Sequence, residues 1–230
     1  MPLTGKFRGG KMKRVNYLLV LAFFLFSSTT AWAAPPAYNW TGFYAGLQGI
    51  YATGVSDFDW PAYSTHTDHI IKGGMAGLVA GFNYQTPINV VVGIETDFNY
   101  GKLQGSSTCP GSSYECRTEV NWLGATRARV GYAVNRFLPY VAVGVTYSGA
   151  ELFANETATG IEVENTKNDY LGWTPSIGVD FMITKNLIGS FEYAYYEFST
   201  DKIQTTGVFT EQINNKFYFE AFKFGLIWKF

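Results

Sequence analysis

Large apolar side chains occupy every second position at the carboxyl end of the chain, while the positions between them include Lys223 and Gly225. A period of two is that of a β-strand, whose successive side chains point to opposite faces. An aromatic face backed by a charged one is typical of a strand between lipid and the interior of a membrane barrel. We interpret the large apolar set as a lipid-facing surface and as a signal for assembly into the membrane: Phe222, Phe224, Leu226, Trp228 and Phe230.

The same alternation, bounded by turn-forming residues, predicts seven further strands. The eight segments cover residues 41–53, 73–84, 89–100, 118–132, 138–149, 169–182, 187–199 and 216–230. Short connections alternate with four long polar ones, at residues 54–72, 101–117, 150–168 and 200–215. This arrangement predicts an all-β fold, an eight-stranded antiparallel transmembrane β-barrel with up-and-down topology, short periplasmic turns and four long external loops.

A soluble barrel that binds a ligand inside also has eight strands, so the direction of the alternation decides between the two folds. Val92 falls on one face of the third segment, with Glu95 and Asp97 on the other, and the same parity places Val120 and Trp122 outside. Isolated charges in a dry interior would be costly. Acids and bases that face one another avoid this cost, which favours the membrane barrel. The predicted ion network of the lumen comprises Glu95, Asp97, Arg127, Arg129, Asp180, Glu192 and Lys223.

The amino-terminal segment has the features of an export signal. Lys13 and Arg14 precede an apolar stretch over residues 17–26, and small residues stand at positions −3 and −1 of a cut after Ala33. The apolar stretch is too short to span a bilayer comfortably. We therefore predict that it is removed after export.

Cleavage would divide the chain into two parts. Residues 1–33 are predicted to be an upstream extension and a cleaved signal peptide, with Met12 as the start, and residues 34–230 the barrel domain. The cut removes five of the 17 basic residues and none of the 18 acidic ones, which leaves a formal net charge of −6. An acidic exported domain without a basic cluster is not suited to nucleic acid.

Cys109 and Cys116 enclose six residues rich in turn formers, in the segment CPGSSYEC. In the oxidising compartment that an exported protein reaches, this spacing predicts one disulfide across a loop tip. A zinc site would require further cysteine or histidine ligands nearby. We therefore predict a disulfide and no metal site at this pair.

Seven short motifs follow one another along the predicted mature chain. They begin at Trp40 (WTGFYAG), Val91 (VVGIETDF), Leu123 (LGATRARVGY), Pro139 (PYVAVGV), Gly172 (GWTPSIGVD), Phe191 (FEYAYY) and Lys223 (KFGL). In this order they resemble the small outer-membrane β-barrel proteins of Gram-negative bacteria, the porin-family, opacity-like and outer-membrane immunogenic proteins, which are similar to the membrane domain of OmpA. The resemblance implies an eight-stranded barrel in the outer membrane, in contact with its lipid and lipopolysaccharide, and inserted by the barrel-assembly machinery. Members of this family are surface antigens, envelope-integrity proteins, adhesins and in some cases haemin binders, so the resemblance does not decide the activity.

The only two histidines, His66 and His69, lie in the first predicted loop. Lipid A deacylases and omptin-like proteases place histidine with serine or aspartate on the barrel itself, so we predict that this protein is not an enzyme. His66 and His69, beside Trp60 and Tyr63, offer ligands and an apolar surface to haem or a metal ion. Three aspartates in the same loop would repel haem propionates. We therefore predict no cofactor and keep haem as an alternative.

Eight strands enclose an interior that side chains can fill, so a wide channel is not expected. Four external loops on a rigid scaffold are an arrangement suited to recognition. The sequence thus predicts a structural role in the envelope and a surface-interaction role of adhesin or antigen type, with host surface molecules as partners. A haemin-binding protein and a narrow, low-conductance porin are the alternatives.

Overall fold

The computed structural model describes residues 38–60, 65–109, 114–156, 159, 162–198, 201–204 and 212–230. These residues form nine β-strands: β1 Gly42–Trp60, β2 Thr65–Gln85, β3 Val90–Thr108, β4 Tyr114–Tyr132, β5 Phe137–Glu156, β6 Glu162–Met182, β7 Leu187–Phe198, β8 Asp201–Gln204 and β9 Gln212–Lys229. None of the residues described belongs to a helix long and apolar enough to cross a membrane. The predicted signal peptide, its cleavage site and the predicted start at Met12 lie outside the described residues.

The strands close into a barrel. Each of the strands β1 to β7 pairs antiparallel with its neighbour in the chain, and β1 pairs with β9, from Tyr44 opposite Lys229 to Asp59 opposite Asn214. β7 and β8 pair with successive parts of β9 and together occupy one strand position, so the nine strands form an eight-stranded barrel. Backbone groups paired around a closed wall need no hydrogen bonds from solvent, which is the condition for a sheet inside hydrocarbon. The predicted eight-stranded antiparallel barrel is confirmed.

Three short turns lie at one end of the barrel, at residues 86–89, 133–136 and 183–186. Asn89 and Asn135 have φ angles of 64° and 52°, in the left-handed region that asparagine tolerates better than most residues. These turns match the short connections expected from the sequence, and the first and last strands begin and end beside them.

At the opposite end the strands extend further than predicted. The β1–β2 ladder continues to Trp60 opposite Thr65, and β3 and β4 remain paired as far as Thr108 opposite Glu115. Beyond the apolar belt the outward side chains no longer need to be apolar, because they meet water, while the backbone pairing continues. Alternation of apolar residues therefore marks the belt and not the ends of the strands.

A β-bulge in β4 reverses the orientation of the residues that follow it. The register passes from Trp122 to Val120 towards both neighbouring strands and skips Asn121. Val120 is fully buried inside the barrel, so its predicted outward position was wrong. Glu119 lies opposite Gln104, an exposed residue of the outer face. An extra residue that shifts the parity of a strand is not visible in a pattern of alternating side chains.

Two rings of aromatic side chains border the apolar belt on the outer surface. The ring near the short turns includes Phe43, Phe82, Phe137, Phe181 and Trp228, and the far ring includes Tyr51, Tyr100, Trp122, Tyr147 and Trp173. Between them lie exposed Leu47, Ile94, Val143, Ile177 and Phe224. An apolar band bounded by aromatic girdles is the surface that a bilayer requires of a barrel.

Candidate functional site

The middle of the lumen contains all seven residues of the predicted ion network. Strand alternation turns each of them inward, and none is more than 6% exposed. β3 supplies Glu95 and Asp97, β4 supplies Arg127 and Arg129, and β6, β7 and β9 supply Asp180, Glu192 and Lys223. The structure therefore brings together, from five strands, residues as far apart in sequence as 95 and 223.

Arg127 lies at the centre of this cluster. Its Nη2 donates to Glu95 Oε1 at 2.7 Å and to Asp97 Oδ2 at 2.8 Å, and its Nη1 donates to Glu192. Lys223 Nζ donates to the same Asp97 oxygen at 2.8 Å and lies 3.2 Å from Glu192 Oε1. Two cations thus share two carboxylates, and the shared contacts cross the lumen.

Arg129 forms a second centre nearer to the short turns. Its Nη1 donates to Glu95 Oε2 at 2.9 Å, and its Nη2 donates to Asp180. The guanidinium carbon lies 3.8 Å from the centroid of the Tyr140 ring, in a cation–π contact. Because Glu95 contacts both arginines through different oxygens, it joins the two centres into one network.

Two inward tyrosines, which the sequence analysis did not identify, complete the network. Each lies directly opposite a glycine and donates to a glutamate: Tyr44, Gly81 and Glu95 form one set, and Tyr140, Gly178 and Glu192 the other. A Cβ on either glycine would fall well inside van der Waals contact of the tyrosine ring. Corresponding residues of the two sets are 96 or 97 positions apart, a repeat in the sequence that could have revealed both tyrosines.

Apolar layers fill the lumen on both sides of the network. Towards the short turns the layer includes Trp40, Val91, Leu138, Met182 and Ile188, and towards the far end it includes Leu103, Val120, Leu123, Tyr196, Phe217 and Phe219. A cavity of about 10 Å³ beside the network, partly lined by Gln48, Glu192 and Lys223, is about the space of one water molecule. The lumen thus has an apolar layer, an ionic layer and a second apolar layer.

The electrostatic balance of the network is close to neutral, with four acids and three bases. Ions removed from water require both good pairing and hydrogen bonds for the remaining donors and acceptors. The tyrosine hydroxyls provide two of these bonds, at 2.9 Å to Glu95 and 2.8 Å to Glu192. Such a cluster rigidifies the lumen, and its individual members are costly to remove.

The two histidines differ from expectation because both lie in strand β2. His66 is in register with Asp59, and its side chain lies outside what the structure describes. His69 is buried, with Nε2 3.1 Å from Thr118 Oγ1 and Nδ1 3.3 Å from Ser107 Oγ. Burial lowers the pKa of the His69 imidazole below its ordinary value, an effect that Asp68 opposes. His69 is therefore a buried, hydrogen-bonded residue of the wall.

The predicted disulfide between Cys109 and Cys116 is confirmed. It closes the far end of the β3–β4 hairpin, with the two Cα atoms 5.2 Å apart. Both cysteines are buried and pack in the far apolar layer. The bond therefore joins β3 to β4 at the tip of the hairpin, and the tip packs against the interior of the barrel.

The five side chains of the predicted assembly signal lie on the outer surface. Phe222, Phe224, Leu226, Trp228 and Phe230 are between 45% and 74% exposed. Lys223, between two of them, points into the lumen. The Phe230 amide donates to the carbonyl oxygen of Phe43 at 3.0 Å, so this residue continues the β1–β9 ladder.

Comparison with known proteins agrees with this geometry. The sequence model for the outer membrane protein β-barrel domain matches residues 19–230. The chain belongs to this family. It is 29% identical over 212 residues to the 31 kDa outer-membrane immunogenic protein of Brucella melitensis, which covers 86% of this chain and 87% of the relative. It is 30% identical over 166 residues to the 22 kDa outer membrane protein of Rhizobium leguminosarum, covering 72% and 67% of the two chains.

Among solved structures, the outer membrane protein OprG from Pseudomonas aeruginosa has the same fold. The TM-score is 0.50 at 16% identity, over 84% of this chain and 98% of OprG. The family and the relatives place this protein in the outer membrane of a Gram-negative bacterium, where its apolar belt contacts lipid. In outer-membrane barrels the short turns are periplasmic, so the far end of the strands is the external end.

Proposed function

We propose that this protein is a closed outer-membrane barrel that supports the envelope and interacts with surface partners through its external end. The observation that carries the proposal is the filled lumen, with one ionic layer between two apolar layers. A wall closed in this way gives solutes no path, and what it presents to the outside is the rim of its strands and their connections. The role is then of adhesin or antigen type, and host surface molecules are the partners we propose.

A narrow porin is the weaker candidate on this geometry. A solute would have to pass the ion pairs that Arg127 and Lys223 form with Asp97 and Glu192 across the lumen. It would also have to pass the fully buried aromatic layer around Phe217 and Phe219. Opening either layer would expose buried charges or buried apolar surface, both of which are unfavourable.

Haem binding and catalysis are also less well supported. His69 would have to leave its hydroxyl partners, Thr118 and Ser107, and its buried position to ligate haem, so it does not fit that role. The pair formed by Ser107 and His69 has a serine near a possible base, but both groups are held within the wall, and the second ring nitrogen contacts Thr118 Oγ1 at 3.1 Å. The lumen carboxylates are engaged by cations. We therefore propose that the protein is not an enzyme and has no haem.

The remaining proposed partners act during export and insertion of the protein. We propose that residues 1–33 are removed after export, and that the barrel-assembly machinery recognises the aromatic face of β9. That face is fully displayed on the outer surface, with Phe224 60% and Phe230 74% exposed. The predicted net charge of −6 for the mature chain is unfavourable for nucleic acid, so we propose no partner of that class.

The proposal is tested by two measurements on one refolded sample. Planar-bilayer recordings at neutral pH, with the disulfide intact, should show little or no steady conductance. Titration with haemin should give a weak Soret change that is the same for His66→Ala/His69→Ala as for the parent protein. Large stable channels would establish the porin alternative, and a Soret band abolished by the double substitution would establish haemin binding.

A further inference from the structure

Three basic residues cluster on the outer wall of the barrel, just external to the aromatic ring that contains Tyr100 and Trp122. Lys72 on β2 and Lys102 on β3 are exposed, Lys102 to 64%, and the Arg117 side chain on β4 is 40% exposed. Lys72 lies in register with Gln104, which in turn lies opposite Glu119. We call this cluster, Lys72, Lys102 and Arg117 around Glu119, the basic face.

Glu119 fixes the geometry of two of the three cations. Lys102 Nζ lies 3.0 Å from Glu119 Oε2, and Arg117 Nη2 lies 3.1 Å from Glu119 Oε1. The Arg117 guanidinium also lies 4.9 Å from the centroid of the Phe153 ring. One buried acid against three bases leaves two positive charges in excess, since the next acid, Glu151 opposite Glu119 on β5, is neutralised by Lys167 at 2.9 Å.

The bulge at Asn121 creates this face. Inside the belt, the even-numbered residues of β4 face outward, as Trp122 does, whereas beyond the bulge Glu119 takes that side and Val120 turns inward. With unbroken alternation Arg117 would point into the lumen. Bulges re-aim side chains at functional positions, and this one moves a guanidinium and a carboxylate to the lipid side of the wall.

Charge is distributed unevenly around the same level of the barrel. Among the described side chains, the β6–β9 side carries three acids and one base near the external aromatic ring, Asp169, Glu197, Glu220 and Lys167, while Glu151 on β5 lies directly opposite Glu119 of the basic face. The base there is already paired, with Lys167 Nζ 2.9 Å from Glu151 Oε1. The nearest acids on the β2–β4 side, Asp68 and Glu115, lie further from the membrane than the basic face. One side of the external rim is therefore suited to anions and the other is not.

We infer that the basic face binds the phosphate groups of outer-leaflet lipid. The position of the basic face along the barrel axis supports this ligand, because lipid phosphates lie at the border of the hydrocarbon, next to the aromatic girdle. Basic side chains at this border are attracted to anionic lipid, and long ones reach the headgroups from just outside the belt. Arginine in particular binds phosphate with two parallel hydrogen bonds. This inference rests on the outer-membrane location and is independent of the proposed closed lumen and surface partners.

The test uses the full mature barrel, folded in detergent and titrated with diphosphoryl lipid A under native mass spectrometry. Lys72→Gln/Lys102→Gln/Arg117→Gln should weaken lipid A binding about tenfold or more, because each basic side chain near an anionic headgroup contributes to the attraction. Lys185→Gln is the matched control, since it removes an exposed lysine from a short turn at the opposite end of the barrel. It should change binding by less than about twofold. Heat-modifiable mobility on gels verifies that each variant is folded.

The same titration with phosphatidylglycerol, and competition by inorganic phosphate, identify the source of the phosphate. Weakening confined to lipid A assigns the basic face to lipopolysaccharide. Equal weakening for phosphatidylglycerol supports the phosphate site and assigns it to anionic headgroups in general, and competition by millimolar phosphate assigns it to the free ion. Unchanged lipid A binding by the folded triple variant, or an equal loss in Lys185→Gln, would overturn the inference.

Discussion

Arg127→Met removes the cation that contacts three carboxylates of the lumen, those of Glu95, Asp97 and Glu192. The methionine side chain retains much of the packing volume, while the charge of the seven-residue network changes from −1 to −2. Removing one partner of a buried ion pair costs about 3–5 kcal/mol, because it leaves an uncompensated buried charge. Arg127 is 1% exposed, so water does not replace it. We expect the free energy of unfolding to fall by about 3–5 kcal/mol.

The assay is urea unfolding of the barrel in lipid vesicles, followed by tryptophan fluorescence and by gel mobility. Arg136→Met is the matched control, because Arg136 is an exposed arginine of a short turn that contacts Tyr38. It should cost about 1 kcal/mol or less. Adding Glu192→Gln to Arg127→Met restores the network charge to −1, so the double variant should be less destabilised than the sum of the two single ones. A loss in Arg127→Met no larger than in Arg136→Met, or strict additivity, would refute the reasoning.

Two further substitutions are checked by the same unfolding assay. Gly81→Ala would place a methyl group against the Tyr44 ring and should cost about 1–3 kcal/mol, whereas Gly49→Ala, whose Cβ would meet nothing within 4 Å, should be neutral; equal effects would mean that the tyrosine does not require the glycine. Phe224→Arg places a charge in the middle of the apolar belt and should cost about 2–4 kcal/mol, while Phe230→Arg at the edge of the belt should cost about 1 kcal/mol or less; a reversed order would contradict the assigned depth.

The apolar belt and the inward charges were predictable because each is imposed by the environment of its face, hydrocarbon outside and the polar lumen inside. A residue such as Ile94 faces hydrocarbon and its neighbour Glu95 faces the lumen, so a period of two is imposed wherever the wall crosses the membrane. Beyond the membrane, the outward side chains need not be apolar, so the alternation of apolar residues is lost there. The β1–β2 backbone pairing nevertheless continues to Trp60 opposite Thr65. The sequence accordingly predicts a loop at His69, because no alternation marks its strand.

The alternation of inward and outward side chains is interrupted where a bulge adds an extra residue to a strand. The wrong orientation of Val120 followed from assuming unbroken alternation through Asn121, and the same assumption concealed the outward position of Arg117. The tyrosines of the network were overlooked for a different reason. An inward aromatic residue such as Tyr44 contradicts a simple division into apolar outside and charged inside, and only its glycine partner across the β1–β2 ladder shows why it fits.

The repeat of 96 or 97 residues separates the inward residues that the two halves of the barrel have in common from those that form ion pairs between the halves. The positions that repeat, such as Tyr44 with Tyr140 and Arg127 with Lys223, place chemically similar inward side chains in each half of the barrel. The residues that break the repeat complete the connection between the halves. Asp97 of the first half accepts from Lys223 of the second, and Arg129 of the first donates to Asp180 of the second. Glu95–Arg127 and Glu192–Lys223 pair within one half, on neighbouring strands. The contacts Arg127–Glu192, Arg129–Asp180 and Lys223–Asp97 join the two halves, so these three form only when the barrel closes.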